Sequence, residues 1–149
     1  MTLRHLVLLT TIVAAGLQAG TYYVWACGVM PGLARADDPT FVTAIQHMNR
    51  AIVNPVFLAT LLGTPLLAAL ALALGPHRGW LIVALVLAAL TFLITMAANV
   101  PLNNAIDRAT TDPTAAREAF ETTWVRWNIL RTATSTGALA ALAWAALRT

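Results

Sequence analysis

Four stretches of this chain, residues 6–30, 55–74, 80–100 and 132–147, contain no charged side chain. A bilayer core takes about 20 residues of helix at about 1.5 Å each. Only helices and closed barrels satisfy their own backbone hydrogen bonds there. The runs are rich in Leu, Ala and Val and show no period-two alternation, so helices are expected. Composition agrees: 10% of the residues are charged, against about 25% in a typical soluble domain. The fold class expected is all-α, one integral membrane domain over residues 1–149. It is an up-down four-helix transmembrane bundle with spans at about 6–30, 55–74, 80–100 and 127–147. Short extra helical segments precede the second and fourth spans.

Turn residues punctuate this plan. Gly75-Pro76-His77-Arg78-Gly79 reads as a tight turn that makes spans two and three antiparallel neighbours. Asp37-Asp38-Pro39 caps an amphipathic helix over about 39–53, and Asn54-Pro55 starts span two in the same way. Asp112-Pro113 opens a helix that runs on through Trp127 into the last span. No internal repeat stands out. The first apolar run is too long for the core of a cleaved signal peptide, and Trp25 fits a lipoprotein cleavage box around Cys27 poorly.

Every basic residue is an arginine, nine in all, against six acids. Arg4, Arg78 and Arg148 fall on one side; the other six arginines and all the acids fall on the opposite side. A literal positive-inside count makes the second side cytoplasmic. Setting aside Arg50, Arg126 and Arg131, which lie near candidate site residues, evens the count. The short basic amino terminus and the tight Arg78 turn then put both termini on the cytoplasmic side. No basic patch is interleaved with exposed aromatics, which excludes a nucleic-acid partner.

The polar residues inside the apolar runs gather at one end. Thr91, Thr95 and Asn99 form a stripe on span three. Trp124, Trp127, Asn128, Arg131 and Ser135 share a face of span four, Gln46, Asn49, Arg50 and Phe57 share one entering span two, and Gln18 and Tyr22 lie four apart on span one. Up-down topology brings the four sets together at the end opposite the termini, where Asn103 and Glu121 also fall. His5, His77, Arg78 and Trp80 at the other end read as interface anchors. Polar groups facing lipid are costly, so these point inward. The threonines and Gln18 are accounted for by helix-to-helix hydrogen bonds. Asn49, Asn99, Asn128 and Arg131 together exceed what such contacts need, although Arg131 alone could snorkel to the headgroups.

Several ordered motifs carry a resemblance. Gly16, Gly20 and Tyr23 are followed by Val29-Met30-Pro31-Gly32-Leu33, then Gln46, Asn49-Arg50-Ala51, Asn54-Pro55 and Phe57. Asn99-Val100-Pro101-Leu102-Asn103 comes next, and Trp124, Trp127-Asn128 and Arg131-Thr132 close the series. Over about residues 16–132 this resembles the DUF1772, or anthrone oxygenase, family of small membrane proteins. The resemblance implies a four-helix membrane protein in a bacterial cytoplasmic membrane. It also implies the O2-dependent oxidation of an anthrone to an anthraquinone that some fungal members perform. Ile129 stands where many relatives have His, so a base or ligand at that position is not carried over.

Such chemistry needs a base, donors for an oxyanion, a flat apolar slot and exclusion of water. The candidate catalytic residues are His47 and Glu121 as bases and Arg131 as a donor. The substrate-binding candidates are Tyr22, Asn49, Arg50, Asn99, Asn103, Trp124, Trp127 and Asn128. Against these roles, His47 beside a helix end reads equally as a solvated residue, and Glu121 four residues after Arg117 as half of an ion pair. No metal and no other cofactor is expected. His47 lies at the opposite end from His5 and His77, and no metal-bundle spacing occurs. A soft set of Cys27, Met30, His47 and Met48 reads more simply as packing. The expected partners are the membrane and a hydrophobic small molecule or lipid. Gly16-x-x-x-Gly20 suits either intramolecular packing or a homo-oligomer. Three function classes stand: an oxygenase, a non-catalytic ligand-binding or accessory subunit of a membrane complex, and a small transporter. The transporter lacks any acid within its spans.

Overall fold

The computed structural model describes residues 2–76 and 78–148, and His77, expected as an anchor, lies outside them. Among the described residues there are five helices and no strand. They are α1 (Leu3–Leu33), α2 (Asp38–Ile52), α3 (Pro55–Leu74), α4 (Arg78–Asp107) and α5 (Pro113–Ala146). Three of them, α1, α3 and α4, are long and apolar enough to cross a membrane.

The fourth expected span falls on α5, which is not one of the three. Its apolar part is short, broken by Thr132, Thr134, Ser135 and Thr136, and follows directly on Arg131. The helix opened at Pro113 runs on through Trp127 without a break, as expected: α5 is one continuous helix of 34 residues. Helix α4 begins at Arg78, earlier than the expected start of span three, and it runs on past Val100 to Asp107.

The starts follow capping chemistry. Asp37 accepts from the Thr40 amide at 2.9 Å, Asn54 from the amides of Val56 and Phe57 at 3.0 Å, and Asp112 from the Ala115 amide at 3.0 Å. A proline stands in the first turn of each of these helices, where an N–H is dispensable. The Thr40 hydroxyl and amide hold the Asp37 carboxyl below the usual carboxylate range. Its contribution to stability is therefore present above the ordinary pKa and is lost as pH falls through the lowered one. Between α3 and α4, a Cβ on Gly75 would come within 2.6 Å of the Leu81 side chain and 2.8 Å of the Ala71 carbonyl, so only glycine lets the turn close.

Helices α1 and α4 each contain one widened turn, Trp25–Val29 and Thr95–Asn99. The Met30 amide reaches back five residues to the Trp25 carbonyl, and the Val100 amide to that of Thr95. In both cases the next residue is proline, Pro31 or Pro101. A proline ring clashes with the carbonyl four residues earlier, and a wide turn at that point relieves the clash without ending the helix.

The long helices pack in a ring: α1 against α3 and α5, and α4 against α3 and α5. Near the termini the core is small and apolar, with Ala15, Ala71, Ala84, Ala141 and Ala145 around Leu8 and Leu142. At the far end Phe41, Ile45, Phe120 and Trp124 close a second, larger-grained core with Met30 and Ile106. Between them the interior is polar: Thr11, Gln18, Thr91, Thr95, Asn99, Asn128, Thr134 and Ser135 are all buried. The exterior carries Leu9, Val13, Leu17, Leu62, Leu66, Val86 and Leu93, all exposed. Apolar outside and polar inside is the arrangement that lipid selects, and the protein is an integral membrane protein.

Arg117 fastens the connection between α1 and α2 to α5. It donates to the carbonyls of Ala34 (3.0 Å) and Ala36 (2.8 Å), to Asp38 (3.0 Å) and to Glu121 (2.7 Å), and lies 4.5 Å over the Phe41 ring. Replacing Arg117 by Ala is expected to lower stability in detergent by about 2 kcal/mol, read from thermal unfolding. Arg117→Lys is expected to recover less than half of that, because an ammonium cannot reproduce the fork.

Candidate functional site

At the end opposite the Gly75 turn, the ring of helices opens around a cavity of about 260 Å³. Five elements build its wall. Helix α1 contributes Tyr22 and Trp25, the last of these in its wide turn; α2 contributes Asn49 and Ile52; α3 contributes Phe57 and Leu61. Helix α4 supplies Thr95 and Met96 from its wide turn, with Val100 and Asn103 beyond, and α5 supplies Trp124 and Arg131. Val53, Leu58 and Met96 are exposed as well as lining it, so the rim is apolar.

Arg131 is the one charged residue on this wall and is only 6% exposed. Its Nε donates to Asn128 Oδ1 at 3.1 Å. Asn128, fully buried, donates in turn to the Tyr22 carbonyl at 3.2 Å, tying α5 to α1. The guanidinium carbon stands 4.3 Å from the Tyr22 ring centre and 5.1 Å from that of Trp124, within cation–π range. Among the described residues both ion pairs belong to Arg117, and no carboxylate or histidine lines the cavity.

Neutral polar groups complete the wall. Trp124 donates through Nε1 to Asn103 Oδ1 at 2.7 Å, and Asn49 donates to Asp107 at 3.2 Å. The Tyr22 hydroxyl accepts from the Gln18 amide and lies 3.5 Å from the Thr95 hydroxyl. Trp25 and Trp124 meet at 5.2 Å with a 53° tilt, and Phe120 stacks behind Trp124 at 5.7 Å. The aromatic wall is therefore braced from outside the cavity.

Of the candidate residues, Tyr22, Asn49, Asn103, Trp124 and Arg131 meet on the wall. Asn99 and Asn128 are fully buried beside it, where Asn128 orients Arg131. The others do not converge there. His47 and Arg50 are exposed on α2, Trp127 is 39% exposed on α5, and Glu121 is engaged by Arg117. Sequence spacing missed Trp25, Ile52 and Met96 as wall residues. The signal for Trp25 and Met96 is the proline that follows each wide turn, which rotates the preceding residues out of ordinary helical register.

Asn128 joins the cation to the neighbouring helix, so Asn128→Ala is expected to lower stability in detergent by about 1–2 kcal/mol, again from thermal unfolding. A sequence model described as anthrone oxygenase matches residues 41–141, from α2 through most of α5. No curated protein and no solved structure matches the chain.

Proposed function

Because the chain belongs to the anthrone oxygenase family, we propose that its cavity carries out O2-dependent oxidation of a flat hydrophobic substrate of the anthrone type. The observation that carries this reading is Arg131, a cation with no carboxylate partner among the described residues, on the wall of an aromatic cavity. Loss of a benzylic proton converts an anthrone to a delocalised, electron-rich anion. Electron transfer to O2 and radical recombination form a C–O bond; the peroxide anion takes back from water the proton that the substrate gave up to it, and the hydroperoxide loses water to leave a carbonyl. In sum, CH2 and O2 become C=O and H2O. In this reading Arg131 and the Asn103 amide donate to the ring oxygen on which the negative charge accumulates, while Asn49 is held by Asp107. Trp25, Phe57 and Trp124 form the slot. His47 and Glu121 have no part in this proposal, the first because it lies off the wall and the second because Arg117 holds it.

The same wall supports a second reading. With neither carboxylate nor histidine lining it, the cavity suits a non-catalytic ligand-binding subunit of a membrane complex. Under either reading the carboxyl-terminal half of α5 is the fourth span of a single domain, with both termini on the cytoplasmic side.

Oxygen uptake by the purified protein with a panel of anthrones decides between the two. Uptake should exceed the uncatalysed rate and match quinone formed one for one. Arg131→Ala should lower it about a hundredfold, with Asn128→Ala lower than wild type. Background uptake by folded wild type would leave the binding-subunit reading. For topology, cysteines placed at Thr110 and at Arg148, on either side of α5, in a Cys27→Ser background should be labelled from opposite sides of the membrane. Labelling from one side would sink the four-span arrangement.

A further inference from the structure

We propose that the cavity takes its ligand as an anion: the conjugate base of a flat, weakly acidic aromatic, a phenolate or enolate, seated against Arg131. This rests on the reading that the cavity is the ligand site, and it goes further by assigning the charge state of what binds and the fate of the proton.

An arginine keeps its proton under all ordinary conditions. A buried charge without a counter-ion is costly, by several kcal/mol even after relaxation. Among the described residues only Asn128 accepts a hydrogen bond from Arg131, and it does so at Nε. The terminal amino groups have no acceptor among the described residues, and Arg131 lines the cavity. The Tyr22 and Trp124 rings temper the charge without neutralising it. Every other wall residue is neutral, and the Asn103 amide, whose oxygen accepts from Trp124, supplies a further donor on the same wall. A ligand that brings one negative oxygen completes this set. A ligand bound in that form has already lost its proton to water at the rim, which accounts for a wall with no base on it. The volume and the aromatic lining suit one small planar ring system.

The test uses alizarin, a hydroxyanthraquinone that changes colour on ionisation and does not consume O2. The dye is titrated with acid and base beside the full chain in a neutral detergent. Bound dye should ionise at least about one pH unit lower than in detergent alone, a tenfold preference for the anion. Arg131→Met should abolish the shift and Arg131→Lys keep part of it. Asn128→Asp retains the arginine but gives it a counter-ion, and should also cancel the shift; it decides the matter if Arg131→Met does not fold. An unshifted dye, a shift that survives both Arg131→Met and Asn128→Asp, or no binding by folded wild type overturns the proposal. So does displacement by stoichiometric phosphatidylglycerol, which would put a lipid phosphate at Arg131 instead. Oxygen uptake is read separately: a shift without uptake removes the oxygenase and leaves the anion site, and uptake without a shift does the reverse.

Discussion

The hydrocarbon core of a bilayer offers a guanidinium nothing to bind, and the housing of Arg131 organises this end of the molecule. The side chain is held at one nitrogen by Asn128, which is itself held by the backbone of α1. Two aromatic rings cover its faces, and one of them, Trp124, is fixed through Asn103 on α4. Three helices thus meet around a single charge. Removing the asparagine would disturb all three at once, in a solvent where displaced polar groups find no water to replace their partners.

The wide turns of α1 and α4 extend the same logic to the backbone. Each carries a proline through a helix that would otherwise kink or stop, and each turns its residues toward the cavity: Trp25 in one, Thr95 and Met96 in the other. Widened turns of this kind recur at functional sites because they re-aim side chains at small cost to the helix. Here two of them line one cavity.

Much of this was legible in the residues. The apolar runs announced α1, α3 and α4, and each Asp-Pro or Asn-Pro pair marked a helix start to within a residue or two. The stripe through Trp124, Asn128 and Arg131 and the pair Asn49 and Asn103 identified the walls of the cavity, because polar groups inside apolar helices must share an interior. Less legible was which of the flanking polar residues face that interior. His47 and Arg50 sit beside Asn49 in sequence but on the solvent side of an amphipathic helix, and Glu121 is drawn outward by Arg117. The continuity of α5 was half visible, since no turn signal separates Pro113 from Ala146. Its membrane crossing does not stand out, because hydroxyls and Arg131 dilute the apolar run.

One spacing occurs twice. Phe41, Ile45 and Asn49 are buried at intervals of four on α2, and Phe120, Trp124 and Asn128 at the same intervals on α5. Phe41 and Phe120 meet edge to face at 6.3 Å. Three residues beyond each asparagine stands a residue of the cavity wall, Ile52 in the first case and Arg131 in the second. Matching positions on two helices therefore present hydrocarbon from one and positive charge from the other. A molecule seated between them would meet two unlike poles, and its head and tail would be told apart by orientation alone, before any bond is made or broken.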